Sequence, residues 1–238
     1  MFRNRTPWSS ISDLMSGLMM VFLFISVSYA YQITKQSETL REQSEQLTQR
    51  NEQISDIVSE WEDYRILIYG DLQREFNNEL PTWNAEIDQE TLAVRFNDPS
   101  LLFAAGRADI SPAFASIIKD FWPRYISVLL KYESVIREVR IEGHTSSEWS
   151  RTTDLNQSYF RNMELSQART RAALEKCYYT TPSEHINWVR NNVTANGMSF
   201  SNLVYNSDGS ENAQLSRRVE FTVVVDSFKK LLEISEEL

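Results

Sequence analysis

The chain has 238 residues, 42% of them hydrophobic, and a formal net charge of −9. This length holds one substantial core with extensions, so we expect one globular domain rather than two. The excess of acidic residues argues against nucleic acid as a partner, because phosphate binding requires basic surface. The single cysteine, Cys177, excludes an intrachain disulfide, and we expect it to be a small buried hydrophobic residue.

An apolar segment near the N-terminus, ISDLMSGLMMVFLFISVSYAY at residues 11–31, predicts a transmembrane helix. About 20 residues are needed to cross the hydrocarbon core of a bilayer, and this segment has that length. Trp8 precedes it, and Tyr29 and Tyr31 end it, as aromatic residues do at the two membrane interfaces. Basic residues near both ends leave the orientation of the span open.

Two alternatives to a membrane span remain. The basic start of the chain and the small residues around Tyr29 also fit a cleaved signal peptide. Asp13 stands where the apolar part of a signal peptide should begin, which favours the membrane helix. A buried helix in a soluble core is the third reading.

Residues 32–78 are polar and predict a helical linker, since no glycine occurs between Gly17 and Gly70. Hydrophobic residues recur in it every seven positions, at Leu40, Leu47, Ile54 and Trp61. This spacing predicts a parallel two-stranded coiled coil that would make the protein a homodimer. A solvated single helix is the alternative.

Beyond Pro81 the pattern alternates strands and helices, which predicts an α+β domain at residues 79–238, with helices packed on a mixed β-sheet. Strands are predicted within residues 91–97, 136–145, 202–206 and 217–226. One helix is predicted from Pro112 and another around 162–177, with Asn162 as its N-cap.

Several segments together resemble the OmpA-like peptidoglycan-binding domain: residues 92–112, IEGHT at 141–145, NMELSQARTRAALE at 162–175 and LSRRVEF at 215–221. With an N-terminal span that carries an early aspartate, the architecture resembles MotB-type stator subunits of flagellar motors. The run SDLMSGLMMVFLF at 12–24 is similar to the MotB-like subunits of Zorya anti-phage defence systems.

This resemblance implies a single-pass protein of the bacterial inner membrane, with residues 1–10 in the cytoplasm and the C-terminal domain in the periplasm. Two copies would sit in a ring of MotA-like (ZorA-like) membrane subunits, and passage of ions, expected to be protons, would drive rotation. Asp13 matches the ion-carrying aspartate. Independently, a carboxylate inside a membrane is costly and marks a functional site by default. The alternative is that Asp13, with serines nearby, only caps the helix.

The resemblance also implies a site for the diaminopimelate of peptidoglycan, formed by Thr145, Ser146, Asn162, Arg169, Arg217 and Arg218. An arginine pairs well with a carboxylate of such a ligand. Ser146 departs from the aspartate of the family, so Glu148 or Asp154 would have to meet the ammonium group of the ligand. Surface solvation or a salt bridge internal to the fold is the alternative role of the arginines.

No phosphate-binding loop, Cys/His cluster or nucleophile signature occurs in the sequence, so we expect neither an enzyme nor a cofactor or metal site. Of the two histidines, His144 lies in the motif at 141–145, where a structural role is expected. Two functions remain: an ion-driven stator subunit, in defence or of the flagellar type, and a non-conducting tether between membrane and cell wall.

Overall fold

The computed structural model describes residues 7–104, 106–149 and 154–226. The chain divides into two compact units, Met1–Asp56 and Ile57–Leu238.

One long helix, α1, runs over Pro7–Phe76. In the first unit its described side chains, from Ile11 onward, are all exposed. Within the described ranges, α1 from Ile11 onward is the one helix long and apolar enough to cross a membrane, judged by length and composition. The predicted N-terminal helix is therefore confirmed. The hydrophobic residues of the predicted coiled-coil seam, Leu40, Leu47 and Ile54, are all exposed in the single chain.

In the described part of the second unit, five strands form one mixed sheet in the order β1-β2-β5-β3-β4. The strands are β1 Ala85–Ile87, β2 Ala93–Phe96, β3 Ile136–His144, β4 Val193–Ser199 and β5 Val219–Val225. Neighbouring strands are antiparallel except β3 and β4, which are parallel. The prediction of an α+β domain on a mixed sheet is confirmed.

The helices of this unit after α1 are α2 Pro99–Leu102, α3 Pro112–Leu129, α4 Leu155–Thr180, α5 Ile186–Asn192 and α6 Ala213–Ser216. Short 3-10 helices lie at Leu130–Tyr132 and Ser183–His185. Helix α3 begins where it was predicted, because the Ser111 side chain accepts a hydrogen bond from the Phe114 backbone N–H and Pro112 occupies the first turn.

The core lies between the sheet and the helices and is rich in aromatic side chains. Phe121 of α3 packs against Phe96 of β2 and Phe221 of β5, with ring centroids 5.4 and 5.2 Å away. Edge-to-face contacts of this kind add to the stabilisation from burial. Cys177 is fully buried in the same core, as predicted.

The end of α1 belongs to this core. Ile68, Leu72 and Phe76 are fully buried in it. The Arg124 side chain of α3 donates a hydrogen bond to the Glu75 carboxylate, at 2.7 Å. The compact unit therefore begins at Ile57, earlier than the predicted boundary at residue 79. A heptad pattern marks hydrophobic positions on a helix and does not show whether a second helix or a sheet covers them.

Helix α4 begins earlier than predicted. It starts at Leu155 rather than near Asn162, and its N-cap is Asp154, whose side chain accepts a hydrogen bond from the Asn156 backbone N–H. The prediction of Asn162 as N-cap is wrong. The first two turns lack a hydrophobic repeat because the buried face of α4 consists of small and polar residues, so the sequence pattern resembled a loop.

The strand prediction is wrong at one place and incomplete at two. Residues 202–206 form no strand and hold only an isolated bridge between Tyr205 and Glu211. The strands β1 and β4 were not predicted. In β4, only Val193 and Ser199 are buried, so this edge strand lacks the hydrophobic alternation that identifies a strand in sequence.

Candidate functional site

Helix α4 carries Asn162 and Arg169, two of the six residues of the predicted site, and glycines bring this helix close to the sheet. A Cβ at Gly143 of β3 would lie 2.7 Å from the Thr170 Cγ2 atom, and a Cβ at Gly197 of β4 would lie 2.5 Å from the Gln167 nitrogen. Side chains at these two positions would push α4 away from the sheet. The glycines therefore fix the height of α4 above the end of β3, where Thr145 and Ser146 follow.

Arg169 is held in place by one hydrogen bond and one aromatic ring. Its Nε donates a hydrogen bond to the Arg107 carbonyl oxygen at 2.9 Å, and its Cζ lies 5.0 Å from the centroid of the Phe103 ring. Burial and the positive charge of Arg217 lower the pKa of Arg169 to about 10, which still leaves it charged at neutral pH. This geometry holds one cation in a fixed, partly desolvated position.

Arg217 is the second cation of the site. Its charge acts on Arg169, and its side chain is 42% exposed. An Nη atom of Arg217 lies 3.7 Å from a carboxylate oxygen of Glu148. The structure thus brings together two arginines and one carboxylate. Paired guanidinium groups suit a carboxylate ligand, and the Glu148 carboxylate suits an ammonium group.

Arg218, next in sequence, has a different environment. Its Nε donates to the buried Glu220 carboxylate at 2.6 Å, and its Nη1 donates to the carbonyl oxygens of Asn202 and Ser216. Because the side chain is only 9% exposed, its charge is used inside the fold. This is the internal salt bridge that the sequence left open as an alternative role.

Thr145 and Ser146 follow β3 and are both buried. The Thr145 N–H donates to the Ser199 carbonyl oxygen at 2.8 Å, and among the described residues the Thr145 hydroxyl has no hydrogen-bond partner. Ser146 is 3% exposed and uncharged, where the resemblance to the OmpA-like domain led us to expect an aspartate.

Asp154 and Glu148 were both predicted as replacements for that aspartate. The Asp154 carboxylate caps α4, whereas Glu148 is exposed and near Arg217. Asn162 lies inside α4, is buried, and donates through Nδ2 to the Ser158 hydroxyl at 3.4 Å. Glu148 is therefore better placed to contact a ligand than Asp154, and Asn162 supports the start of α4.

Glu211 and Phe103 were not singled out from the sequence. The Glu211 carboxylate accepts hydrogen bonds from the backbone N–H of Ser147, at 3.0 Å, and from its hydroxyl. It thereby fixes the backbone after Ser146. Phe103 lies within the motif at 92–112, which gave a signal for it, whereas nothing in the sequence relates Glu211 to Ser147 across 64 positions.

The other predicted functional residue, Asp13, lies in α1 in the first unit. Its side chain is exposed on the single helix, two turns or more of apolar residues follow it, and Ser16 lies on the same helix face. Its role as the ion-carrying group stays a prediction.

Comparison with known proteins identifies the class first. No family model matches the chain. Among solved structures, a protein from Desulfovibrio vulgaris described as MotB-like is similar over 71% of this chain and 98% of its own, with a TM-score of 0.51 and 20% identity. The second unit therefore has a MotB-like fold.

The sequence itself narrows this class. The chain is 40% identical to Zorya protein ZorB of Escherichia coli (strain ATCC 8739) over 236 residues. The matched region covers 99% of this chain and 94% of that protein. The chain belongs to the ZorB family.

Proposed function

We propose that the chain is the MotB-like subunit of an ion-driven stator complex that acts in anti-phage defence and is anchored to peptidoglycan. The observation that carries this proposal is the 40% identity to Zorya protein ZorB along nearly the whole chain. That similarity covers the apolar segment with Asp13 as well as the domain with Arg169. The membrane segment and the wall-binding domain of the proposed subunit therefore both lie within the region that is similar to one relative.

The membrane end of the device is the apolar start of α1. Residues 11–31 form a single inner-membrane span, with the N-terminus in the cytoplasm and the second unit in the periplasm. Two copies associate through this span and the heptad positions that follow. A ring of MotA-like (ZorA-like) membrane subunits surrounds them. Exposed apolar side chains along α1, such as Phe22 and Phe24, suit lipid or such partners.

Asp13 is the ion-carrying group of the proposed complex, and the ion is a proton. A carboxylate within a membrane span is stable only where a partner or water faces it, and such a place is a candidate path for ions. Uptake and release of a proton change the charge of Asp13 and hence its preferred contact with the surrounding subunits. This cycle converts ion flow into rotation of one ring against the other.

The wall end of the device is the site around Arg169 and Arg217. Their guanidinium groups bind the free carboxylate of a peptidoglycan stem peptide, and Glu148 faces its ammonium group. Because Ser146 lacks the charge of the family aspartate, the affinity is expected to be lower than in a site that has one. The domain holds the two copies of the chain in place while the ring of MotA-like subunits turns around them.

A non-conducting tether between membrane and wall is the second candidate, since the wall site does not depend on Asp13. A flagellar-type stator is a variant of the first candidate. All three candidates require one membrane span with the N-terminus in the cytoplasm and the second unit in the periplasm. A reporter fused after Leu238 tests this topology. Activity of a reporter that works only in the periplasm supports the proposed topology. Activity of one that works only in the cytoplasm contradicts it.

A further inference from the structure

A buried charged cluster lies on the face of the sheet opposite the aromatic core. Glu142 of β3 and Glu220 of β5 are cross-strand partners. His144 follows Glu142 by two residues and therefore points to the same face. His144 and Glu220 are buried, and the Glu142 side chain is 15% exposed. Two carboxylates directly opposite each other repel, so this arrangement calls for a cation between them.

His144 is the unusual member of this cluster. Its side chain is 2% exposed, and among the described residues neither ring nitrogen has a hydrogen-bond partner. Its Nε2 lies 4.0 Å from a carboxylate oxygen of Glu142 and 4.0 Å from one of Glu220. A buried imidazole without partners is costly unless another group binds it.

We propose that Glu142, His144 and Glu220 bind one divalent transition-metal ion, with Zn²⁺ as the best fit, through one nitrogen and two carboxylate oxygens. The three ligand atoms lie within 4.8 Å of one another. In a tetrahedral zinc site with bonds of about 2.1 Å, ligand atoms lie roughly 3.4 Å apart. Each carboxylate oxygen therefore needs to approach Nε2 by about 0.6 Å, and the two oxygens need to approach each other by up to about 1.4 Å. Rotation of the carboxylate side chains supplies a movement of that size.

The neighbouring arginines leave room for this ion. Arg95 and Arg218 both donate to Oε1 of Glu220, at 2.8 and 2.6 Å, whereas the oxygen facing His144 is Oε2. Arg95 also pairs with Asp88 at 2.9 Å. Arg140, which also acts on Glu142, pairs with Glu138 at 2.5 Å, and Glu86 lies 4.0 Å from Arg95. The five carboxylates of Glu86, Asp88, Glu138, Glu142 and Glu220 therefore outnumber the three guanidinium groups, and negative charge is left for a cation.

Protonation of His144 is the competing way to supply that cation. Burial and the positive charge of Arg218 lower the pKa of His144 to about 4, so the ring is neutral at pH 7 and keeps a lone pair for a metal. Burial and the charge of Glu220 raise the pKa of Glu142, whereas Arg218 and Arg95 lower the pKa of Glu220 despite its burial, so Glu142 is the carboxylate with too little positive charge beside it. A metal ion meets both conditions, because zinc binds neutral imidazole and lowers the repulsion between carboxylates.

The proposed ion joins β3 to β5, just before Thr145 and Ser146 and just after Arg217. It would therefore stabilise the end of β3 and the start of β5, next to the wall site. Metal binding by Glu142, His144 and Glu220 does not require that the domain bind peptidoglycan.

The test uses the untagged full chain in detergent, stripped with a chelator and then titrated with ZnCl₂ by calorimetry. We expect one Zn²⁺ per chain, and no comparable binding of Ca²⁺ or Mg²⁺, because these ions avoid imidazole. Co²⁺ should give the visible absorption of a tetrahedral site. Absence of Zn²⁺ binding by the wild-type chain overturns the proposal without any variant.

Three variants locate the site. His144→Gln and Glu142→Gln should each weaken Zn²⁺ binding by more than about 100-fold, since loss of a ligand costs more than loss of a group that only orients one. His185→Gln changes the only other histidine and should bind Zn²⁺ as the wild type does. Circular dichroism shows whether each variant is folded. If His144→Gln is unfolded, the Zn²⁺ affinity of Glu142→Gln tests the assignment of the ligands. Wild-type affinity in a folded Glu142→Gln or His144→Gln chain contradicts the assignment.

Discussion

The guanidinium carbon of Arg169 lies 5.0 Å from the centre of the Phe103 ring. In the described part of the chain only its Nε has a protein acceptor, the Arg107 carbonyl oxygen. The ring and the carbonyl together fix the orientation of the side chain and leave its two terminal nitrogens for a ligand. A cation that is already oriented loses little conformational entropy when it binds a carboxylate.

Arg169→Ala should therefore weaken binding of the 57–238 fragment to purified peptidoglycan. Hydrogen bonds to charged groups contribute about 1.5–3 kcal/mol, which corresponds to roughly 10- to 100-fold in affinity. Arg171→Ala is the matched control, because Arg171 is an exposed arginine on the same helix. Co-sedimentation measures both. An equal loss in the two variants would mean that general positive charge, not the position of Arg169, determines binding.

Ser146→Asp should strengthen peptidoglycan binding, since it restores the charge that meets the ammonium group of the ligand in the related domains. Ser146→Asn adds a side chain of similar size without the charge and should leave affinity unchanged or lower. The same co-sedimentation assay compares them. If neither the wild type nor Ser146→Asp co-sediments with peptidoglycan, the domain has the fold of the related domains but does not bind their ligand.

A fragment that starts at Glu79 should be much less stable than one that starts at Ile57. The shorter fragment lacks Ile68, Leu72 and Phe76, which are fully buried in the core. Burial of one such side chain contributes about 1.5–3 kcal/mol, and the whole stability of a domain is on the order of 5–15 kcal/mol. Urea unfolding followed by circular dichroism measures the difference. Equal unfolding midpoints would show that the end of α1 is not part of the domain.

The sequence predicted the elements whose burial follows a regular period. Helix α3 and strand β2 place large hydrophobic residues on one face, and both lie where they were expected. The start of α4 was missed because its buried face is small and polar, with Ser158 and Asn162 in its first two turns. Further along α4, Gly143 and Gly197 let the helix approach the sheet at Ser166, Gln167 and Thr170, and a distant glycine gives no local signal in the helix sequence.

The candidate site shows the same limit. The sequence motifs assign Arg169, Arg217 and Arg218 to the ligand site alike. The structure shows that they differ, because Arg217 is partly exposed and Arg218 is buried in a salt bridge. The contact of Glu211 with Ser147 depends on the path of the 202–212 loop. The cluster of Glu142, His144 and Glu220 depends on the register of β3 against β5, which the sequence does not contain.

The heptad positions of α1 should form the contact between two copies of the chain. Single cysteines at Leu47 and Ile54 should cross-link between chains under mild oxidation, and one at Ser44, beside the seam, should do so poorly. Cys177 is fully buried and gives no background. Non-reducing gel electrophoresis of membranes measures the dimer fraction. Equal cross-linking at all three positions would remove the case for a seam.

The central claim is that Asp13 carries the ion, and one measurement tests it most directly: proton flux through the assembled complex in vesicles, with phage plaque counts on cells that express the same variants. Asp13→Asn removes the titratable group and should abolish both flux and defence, while Asp13→Glu should retain part of each. Expression and assembly of the variants are compared by co-purification with the MotA-like subunits. Full defence by an assembled Asp13→Asn complex would contradict the account and leave a non-conducting tether.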